Sequence, residues 1–151
     1  MEEELELTKK YIKLEESRFE EKLQFELCLE NIEEKELKSS KIPPMLLQPF
    51  VENSIWHGLL PSQSEDKKLR IAVSQRDNGI FISIMDNGIG RQTKAQTQLN
   101  GHKSMGVTIT QQRIDLFNKI TNQRMQMDTL DHFDQNKKPS GTEVQIHLNE
   151  S

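Results

Sequence analysis

The sequence predicts a two-layer α/β (α+β) sandwich, in which helices cover one face of a mixed, mostly antiparallel sheet. Segments with the apolar-polar alternation of strands are interleaved with segments of helical periodicity, in the order β, α, ββ, α, ββ. The alternation within the strands indicates that one face of the sheet is wet. The 151 residues are enough for a single domain that buries roughly two-thirds of its unfolded surface without disulfides or a structural metal.

The first half of the chain should contain a charged helix, a strand and an apolar helix. Residues 1–20 are rich in Glu and Lys and carry a thin apolar stripe at helical spacing, which predicts an amphipathic helix. Residues 23–29 alternate in the manner of a half-buried strand, and a polar linker follows at 31–41. Since proline is well tolerated at the first helical position, we expect Pro43-Pro44 to open an apolar helix that runs to Gly58.

The second half should contain a hairpin, a helix and two closing strands. Residues 69–73 and 80–84 alternate on either side of a turn-forming Asp-Asn-Gly run, which predicts a hairpin whose second strand ends at Asp86. Residues 91–104 offer almost no apolar side chains and are predicted to form a mobile lid. The remaining predicted elements are a helix at 105–121 and strands at 125–130 and 143–148, joined by a turn at 134–141.

Composition argues against several classes of protein. The formal net charge is -4, and without a basic stripe to neutralise phosphates nucleic acid is not an expected partner. Cys28 is the only cysteine, so no internal disulfide can form. No apolar run approaches the roughly 20 residues of a membrane-spanning helix, and no signal peptide is visible. We therefore expect a cytoplasmic protein, attached to a membrane only through segments upstream of this chain.

Two motifs indicate a nucleotide pocket. The pair Glu52-Asn53 is polar on an otherwise apolar helix, and the amide oxygen of Asn53 suits Mg²⁺. At the end of a strand, the carboxylate of Asp86 is a natural acceptor for the exocyclic amine of adenine, whereas guanine would present a carbonyl there and be rejected. Gly88 and Gly90, which follow it, would let the backbone approach the base and the ribose.

Each feature also has a simpler interpretation. An Asp-Asn-Gly run is an ordinary turn when it stands alone. Asn53 could be a core amide whose hydrogen bonds are satisfied, and His57 could pack or cap before Gly58. Ser104-Met105-Gly106, whose free amides would attract phosphate, could be a plain helix start. The order and spacing of the motifs favour the pocket.

The motifs resemble those of the LytS-type sensor histidine kinases. Residues 44–58 are similar to their N box, which reads roughly P-x-x-L-Q-P-x-x-E-N-x-x-x-H-G, and residues 86–90 are similar to their G1 box. Gly141-Thr142 resembles the late Gly-Thr element of the adenine pocket, and Gly106 with Arg113 resembles the helix after the lid. Residues 2–19 resemble the segment that joins the phosphoacceptor region to the ATPase domain, so the resemblance covers nearly the whole chain.

The resemblance implies a Bergerat-type ATPase fold of the GHKL superfamily, shared with gyrase, Hsp90 and MutL. Residues 1–20 would be the connecting helix, and residues 21–151 the catalytic domain that binds ATP with Mg²⁺. Such a domain delivers the γ-phosphoryl group to a histidine on a helical dimerisation region of the same kinase, and a response regulator then takes it. The full-length protein would be a homodimer.

Individual residues acquire roles through this resemblance. Asn53 would hold Mg²⁺, Asp86 would bind the adenine amine, and Glu52 would act in catalysis by polarising the acceptor or the metal shell. Thr142 would bind a water beside the adenine. The other residues expected to contact the nucleotide are His57, Gly88, Gly90 and Gly106.

The chain departs from the family pattern at three places. None of its four histidines has the context of a phosphoacceptor, so we expect that region to precede residue 1 and the chain not to phosphorylate itself alone. The lid has only Gly101 and Gly106 in place of the usual repeated glycines. Trp56 stands where the family often has lysine. The candidates for a replacement cation that faces the phosphates are Arg91, Lys94, Lys103 and Arg113.

Three alternatives remain open. A self-contained ATPase of the gyrase or Hsp90 kind needs a glutamate four residues before the magnesium asparagine, where this chain has Pro49, so hydrolysis should be slow. A serine kinase acting on an anti-sigma partner would share the pocket but seldom the flanks Gln48-Pro49 and His57-Gly58. A degenerate GHKL domain would keep the fold and serve as an interaction and dimerisation module without catalysis.

Overall fold

The computed structural model describes residues 1–20, 22–76, 79–91, 105–121 and 123–149. The helices are α1 (Glu2–Glu15), α2 (Glu34–Ser39), α3 (Gln48–Asn53) and α4 (Met105–Thr121). The strands are β1 (Gln24–Glu30), β2 (Lys68–Arg76), β3 (Gly79–Asp86), β4 (Arg124–Phe133) and β5 (Pro139–Asn149). A short 3-10 turn, Glu16–Arg18, extends α1, and a π-helical segment, Ser54–Leu59, extends α3.

The five strands form one sheet in the order β1-β2-β3-β5-β4. β1 pairs with β2 in parallel and the other three pairs are antiparallel, so the sheet is mixed and mostly antiparallel, as predicted. The register places Asp86 of β3 opposite Thr142 of β5, and Thr142 opposite Asp131 of β4. Since directly opposed residues share a face, these three side chains form a row across the sheet.

One hydrophobic core joins the sheet to the helices. Its members from strands β2 and β3 include Leu69, Ile71, Ile82 and Ile84, and those from the helical layer include Phe50, Val51, Ile55 and Ile114. The other face of the sheet is polar, with Arg70 of β2 paired to Glu26 and Glu30 of β1. The predicted fold class, a sheet with one dry face covered by helices, is confirmed.

Helix α1 uses its apolar stripe within this chain. Leu5 and Ile12 are buried in the core. The buried carboxylate of Glu4 accepts hydrogen bonds from the backbone amides of Met45 (2.9 Å) and Leu47 (3.0 Å), which lie just before α3. The first helix therefore packs against the N-terminal end of α3 and fixes the chain that leads into it.

The apolar helix begins later than predicted. Met45 has a φ of +55°, in the left-handed region that a right-handed helix does not contain. The prediction that Pro43-Pro44 opens the helix is therefore wrong, and α3 starts only at Gln48. Pro49 lies in the first turn of α3, where the backbone N–H groups have no partner within the helix, so the missing N–H of proline removes no helical hydrogen bond. Beyond α3 the helix continues to Leu59 in the wider π form, with Leu60 N bonded to Ile55 O at 2.9 Å.

The polar linker predicted at 31–41 contains a helix, so this prediction is wrong in part. Glu33 and Glu36 form a reciprocal capping box at the start of α2, in which the Glu33 amide donates to Glu36 Oε2 at 2.8 Å. Leu37 buries its side chain in the core. One buried leucine and one cap are enough to order a segment that is otherwise charged.

The later elements agree better with the prediction. β3 ends at Asp86 and α4 spans 105–121, as predicted. The two closing strands are longer than predicted, and their turn is confined to residues around Asp134, whose side chain accepts from the backbone amides of Asn136 and Lys138. Most of the predicted lid, 92–104, and the hairpin turn residues 77–78 lie outside the described residues. Within the described ranges, no helix is both long and apolar enough to cross a bilayer.

The polar face of the sheet holds a cluster around Glu143 of β5. The carboxylate accepts hydrogen bonds from Ser83 Oγ (2.7 Å) and Gln145 Nε2 (3.0 Å), and it lies 3.2 Å from His132 Nε2. Burial alone would raise the pKa of Glu143, but the hydrogen bonds from these three neighbours outweigh it and lower the pKa below the usual 4.5.

Candidate functional site

A cavity of about 600 Å³ opens between α3 with its π-helical extension and α4, above strands β4 and β5. Its apolar lining comes from all of these elements and includes Phe50, Val107, Met127 and Val144. Its polar lining includes Asn53, Ser54, His57, Asp86 and Thr142. A largely apolar hollow with a few convergent polar groups is typical of a site for a small organic ligand.

Asp86 is the central polar group of the cavity. It ends β3 and is only 3% exposed. Its Oδ2 accepts hydrogen bonds from Ser54 Oγ (2.8 Å) and Thr142 Oγ1 (2.7 Å), and its Oδ1 accepts one from the Gly88 amide (2.9 Å). An ionised carboxylate has roughly four acceptor positions, so the donors among the described residues leave about one, on Oδ1, for a ligand.

Three glycines let backbone segments close around Asp86. A Cβ on Gly58 would lie 2.9 Å from Asp86 Oδ1. A Cβ on Gly141, which has a φ of +134°, would lie 2.0 Å from the Asp86 carbonyl oxygen. A Cβ on Gly88 would lie 2.2 Å from the Gly58 carbonyl carbon, so the turn after β3 rests directly on the helix. The contact is completed by a hydrogen bond from the Ile89 amide to Gly58 O at 3.0 Å.

The structure brings five of the eight predicted site residues to the cavity wall. These are Asn53, His57, Asp86, Gly90 and Thr142. Gly90 has a φ of +70°, and a Cβ there would lie 2.7 Å from Pro139 Cβ, so this turn requires glycine. Among the described residues, none donates or accepts a hydrogen bond with the half-buried Asn53 side chain. A satisfied core amide, the simpler interpretation of Asn53, does not match this environment.

The other three predicted residues do not line the cavity. Glu52 lies beside it, where its Oε1 accepts a hydrogen bond from Gln48 Nε2 at 2.8 Å. Gly88 is held against Gly58 and reaches the cavity only through Asp86, to which its amide donates. Gly106 lies in the first turn of α4, where its carbonyl oxygen accepts from Thr110 Oγ1 at 2.8 Å. Direct contact of these three with a ligand stays a prediction.

The candidate cations differ in their position relative to the cavity. Arg91 lines the cavity and forms a bidentate ion pair with Asp131, with distances of 2.6 Å from Nε to Oδ1 and 2.9 Å from Nη2 to Oδ2. Arg113 lies outside the lining, with Nη1 3.5 Å from the Pro44 carbonyl oxygen. The other two candidates, Lys94 and Lys103, lie outside the described residues.

Trp56 faces α1 and the turn that extends it. Its indole N–H donates to the Tyr11 hydroxyl at 3.4 Å, and the Arg18 guanidinium lies 4.6 Å from the ring centroid. The side chain is nevertheless 44% exposed. Where the resemblance leads us to expect a lysine, Trp56 instead contacts the N-terminal segment.

Sequence reasoning missed several residues of the site. Ser54 and Gly58 both face Asp86, and their spacing of four puts them on one side of a helix. Two small residues at this spacing, directly after Glu52-Asn53, could have been used to predict that this side of the helix faces the site. Met127 of β4 also lines the cavity. No local pattern distinguishes a strand methionine that faces a cavity from one that faces the core.

Sequence comparison relates the chain to LytS sensor proteins. The chain is 36% identical over 91 residues to the sensor protein LytS of Oceanobacillus iheyensis. The aligned residues cover 60% of this chain and 15% of that protein. It is 30% identical over 111 residues to LytS of Enterococcus faecalis, covering 70% of this chain and 18% of that protein. By sequence, this chain is a relative of the LytS-type sensor histidine kinases. It spans only 13 to 21% of the length of these LytS proteins.

Solved histidine kinases share the fold. The catalytic domain of histidine kinase ThkA matches 98% of this chain, and the match covers 88% of that chain, with a TM-score of 0.54 at 12% identity. The Acinetobacter baumannii histidine kinase AdeS matches 98% of this chain and 64% of its own, with a TM-score of 0.58 at 15% identity. At such identities the likeness concerns the fold alone, and it confirms the expected two-layer α/β fold. No protein-family model matches the chain.

Proposed function

We propose that this chain is the ATP-binding catalytic domain of a two-component sensor histidine kinase. It binds ATP with Mg²⁺ and donates the γ-phosphoryl group to a histidine on a helical dimerisation region outside this chain, for relay to a response regulator. The observation that carries the proposal is the cavity itself, which joins Asn53 of the N-box-like helix to Asp86 of the G1-like turn. The kinase would be a homodimer, with this part on the cytoplasmic side of any membrane segment.

Adenine recognition is supported by the acceptor position on Asp86 Oδ1 that no residue of the described ranges occupies. The exocyclic amine of adenine is a donor, whereas guanine carries a carbonyl at the same ring position. The hydroxyls of Ser54 and Thr142 hold the carboxylate in place by donating to Oδ2. An acceptor held rigidly in an apolar cavity rejects a second acceptor strongly, since both would be left without a donor.

Magnesium binding is supported by the chemistry of Asn53. Its half-buried amide faces the cavity, and no described residue hydrogen-bonds it, so its oxygen is available as a ligand. Mg²⁺ takes few protein oxygens and keeps waters and phosphate oxygens, so one neutral amide fits such a site. Asn53 would hold the ion, which would supply positive charge to stabilise the charge that develops on the phosphates.

Phosphoryl transfer is favoured over hydrolysis. Pro49 lies one helical turn before Asn53 and offers no base to activate water. Glu52 lies next to Asn53, and its hydrogen bond from Gln48 orients the carboxylate. In our proposal this carboxylate polarises the incoming histidine or a water of the metal shell, and α1 connects the domain to the region that carries that histidine.

The test is calorimetric titration of the chain with a non-hydrolysable ATP analogue and with GTP, each with and without Mg²⁺. We expect binding that prefers adenine and is strengthened by Mg²⁺. Asn53→Ala should remove the Mg²⁺ enhancement and leave metal-free binding nearly unchanged, while Asn136→Ala, in the exposed turn, serves as the matched control. An equal Mg²⁺ enhancement in Asn53→Ala would exclude this residue from the metal shell.

The chemical step needs the second component. A histidine-containing dimerisation region of a LytS-type kinase is supplied in trans, and label from γ-labelled ATP should appear on it. Labelling should be slower when the Glu52→Gln variant is used in place of the wild-type chain. Free phosphate released at the same rate without that region would favour a self-contained ATPase. A chain that binds no nucleotide would favour the interaction module.

A further inference from the structure

Arg91 lines the cavity, and Asp131, which does not line it, holds the Arg91 side chain in an ion pair. Arg91 follows the turn that begins at Asp86, and Asp131 lies on the edge strand β4. Their bidentate pair uses two N–H groups in the guanidinium plane, at 2.6 and 2.9 Å. The two side chains are 54% and 34% exposed, and such ion pairs add little stability. The pair is therefore better explained by orientation of Arg91 than by a need of the fold.

Asp131 lies in the same row across the sheet as Asp86. Asp131 is opposite Thr142, which is opposite Asp86, so the three residues span three adjacent strands on one face. Two strand spacings put Asp131 roughly 10 Å from Asp86. A base whose amine is bound at Asp86 would extend over this row, toward the guanidinium of Arg91.

We infer that Arg91 contacts the bound purine through the flat face of its guanidinium and that Asp131 is the positioning residue that holds it there. The inference rests on the proposed function. In-plane N–H groups directed at Asp131 leave the faces of the guanidinium open, and arginine stacks on aromatic rings in this way. Because Asp131 neutralises its charge, Arg91 attracts a triphosphate only weakly.

Affinity measured along a series of ligands separates contact with the base from contact with the phosphates. The dissociation constants of ADP and ATP are measured by calorimetry, and those of adenosine and AMP by competition against ADP. Arg91→Ala should weaken all four ligands by the same factor, roughly 2- to 30-fold, the range expected for a cation–π contact. Arg91→Lys keeps the charge but not the plane, so it should not restore affinity.

Asp131 is tested through its dependence on Arg91. Asp131→Asn should weaken the four ligands by a common, smaller factor, and it should have no further effect in the Arg91→Ala background. Arg124→Ala and Asp128→Asn, on the same strand but with exposed side chains, are the matched controls and should leave all four constants unchanged. Urea unfolding of each variant should give the wild-type midpoint.

The outcomes are distinct. A loss that grows with the number of phosphates, or full rescue by Arg91→Lys, would mean a phosphate contact and overturn the inference. Unchanged constants in Arg91→Ala would overturn it too. A wild-type chain that binds none of the four ligands would overturn the proposed function, and this inference with it. The three results with the Arg91 variants would overturn this inference alone and leave the proposed function standing.

Discussion

Asp86→Asn tests base recognition in the most direct way. Gly88 donates a backbone N–H to Oδ1, and an amide donor cannot reverse its role, so the asparagine oxygen should take the Oδ1 position. Its NH₂ group then replaces Oδ2, where the hydroxyls of Ser54 and Thr142 can accept instead of donate. The variant should therefore fold normally and still present an acceptor to adenine, without the charge.

The expected loss follows from that geometry. A hydrogen bond to a charged group contributes about 1.5 to 3 kcal/mol and a neutral one about 0.5 to 1.5 kcal/mol, so ATP binding should weaken by about 1 to 1.5 kcal/mol. This corresponds to about a 5- to 13-fold rise in Kd. Selectivity against GTP should persist, because the remaining oxygen still faces the guanine carbonyl. Asp86→Ala should lose the full contact, about 10- to 150-fold, together with the selectivity.

The assay is calorimetric titration of both variants with a non-hydrolysable ATP analogue and with GTP, beside urea unfolding. Asp128→Asn, an exposed position on the opposite face of the sheet, controls for the loss of one carboxylate. Wild-type affinity in Asp86→Ala would refute the assignment of Asp86 to the base. A switch to GTP in Asp86→Asn would mean that the amide points its NH₂ at the ligand, contrary to the role given to Gly88.

Two further predictions concern the surroundings of the site and the far face of the sheet. Gly58→Ala should weaken ATP binding about tenfold while the fold is kept, because its Cβ would lie 2.9 Å from Asp86 Oδ1 and displace the acceptor; unchanged affinity in titration would show that the carboxylate shifts freely. The lowered pKa of Glu143 means that its ionised form stabilises the fold above pH 4.5 and that this contribution disappears as the pH falls through the lower folded-state pKa. Glu143→Gln should thus be less stable than wild type at pH 7, and the difference in unfolding free energy should shrink below pH 4.5; a gap that is constant with pH would contradict the argument.

Much of the fold could be predicted because the strands carry their own pattern. The alternation in β2 and β3 predicts both strands and their hairpin, and it puts Asp86 at a strand end. The start of α3 could not be predicted the same way. It depends on the left-handed Met45, whose amide is held by Glu4 from 41 residues earlier in the chain. Local proline rules cannot detect a constraint that comes from another helix.

Five residues that line the candidate cavity could be predicted from the sequence, but their contacts could not. Asn53, Asp86 and Thr142 follow from the motifs. The residues that surround them depend on the order of the strands in the sheet. The alternation of apolar and polar residues along a strand does not specify this order. The order β3-β5-β4 brings Asp131 beside Arg91, although 40 residues separate them, and either side chain alone reads as an ordinary surface charge.

The N-terminal segment and the site share one structural support. Glu4 binds the amides of Met45 and Leu47, just before α3, and Tyr11 contacts Trp56, next to the cavity-lining His57. A displacement of α1 would therefore act on both ends of the helix that carries Asn53. The division at residue 20 is thus a proposal about roles in a longer kinase, because by packing α1 belongs to the same core as the sheet. In such a kinase, the segment proposed to lead to the phosphoacceptor region would also hold the helix that carries Asn53, the proposed magnesium ligand.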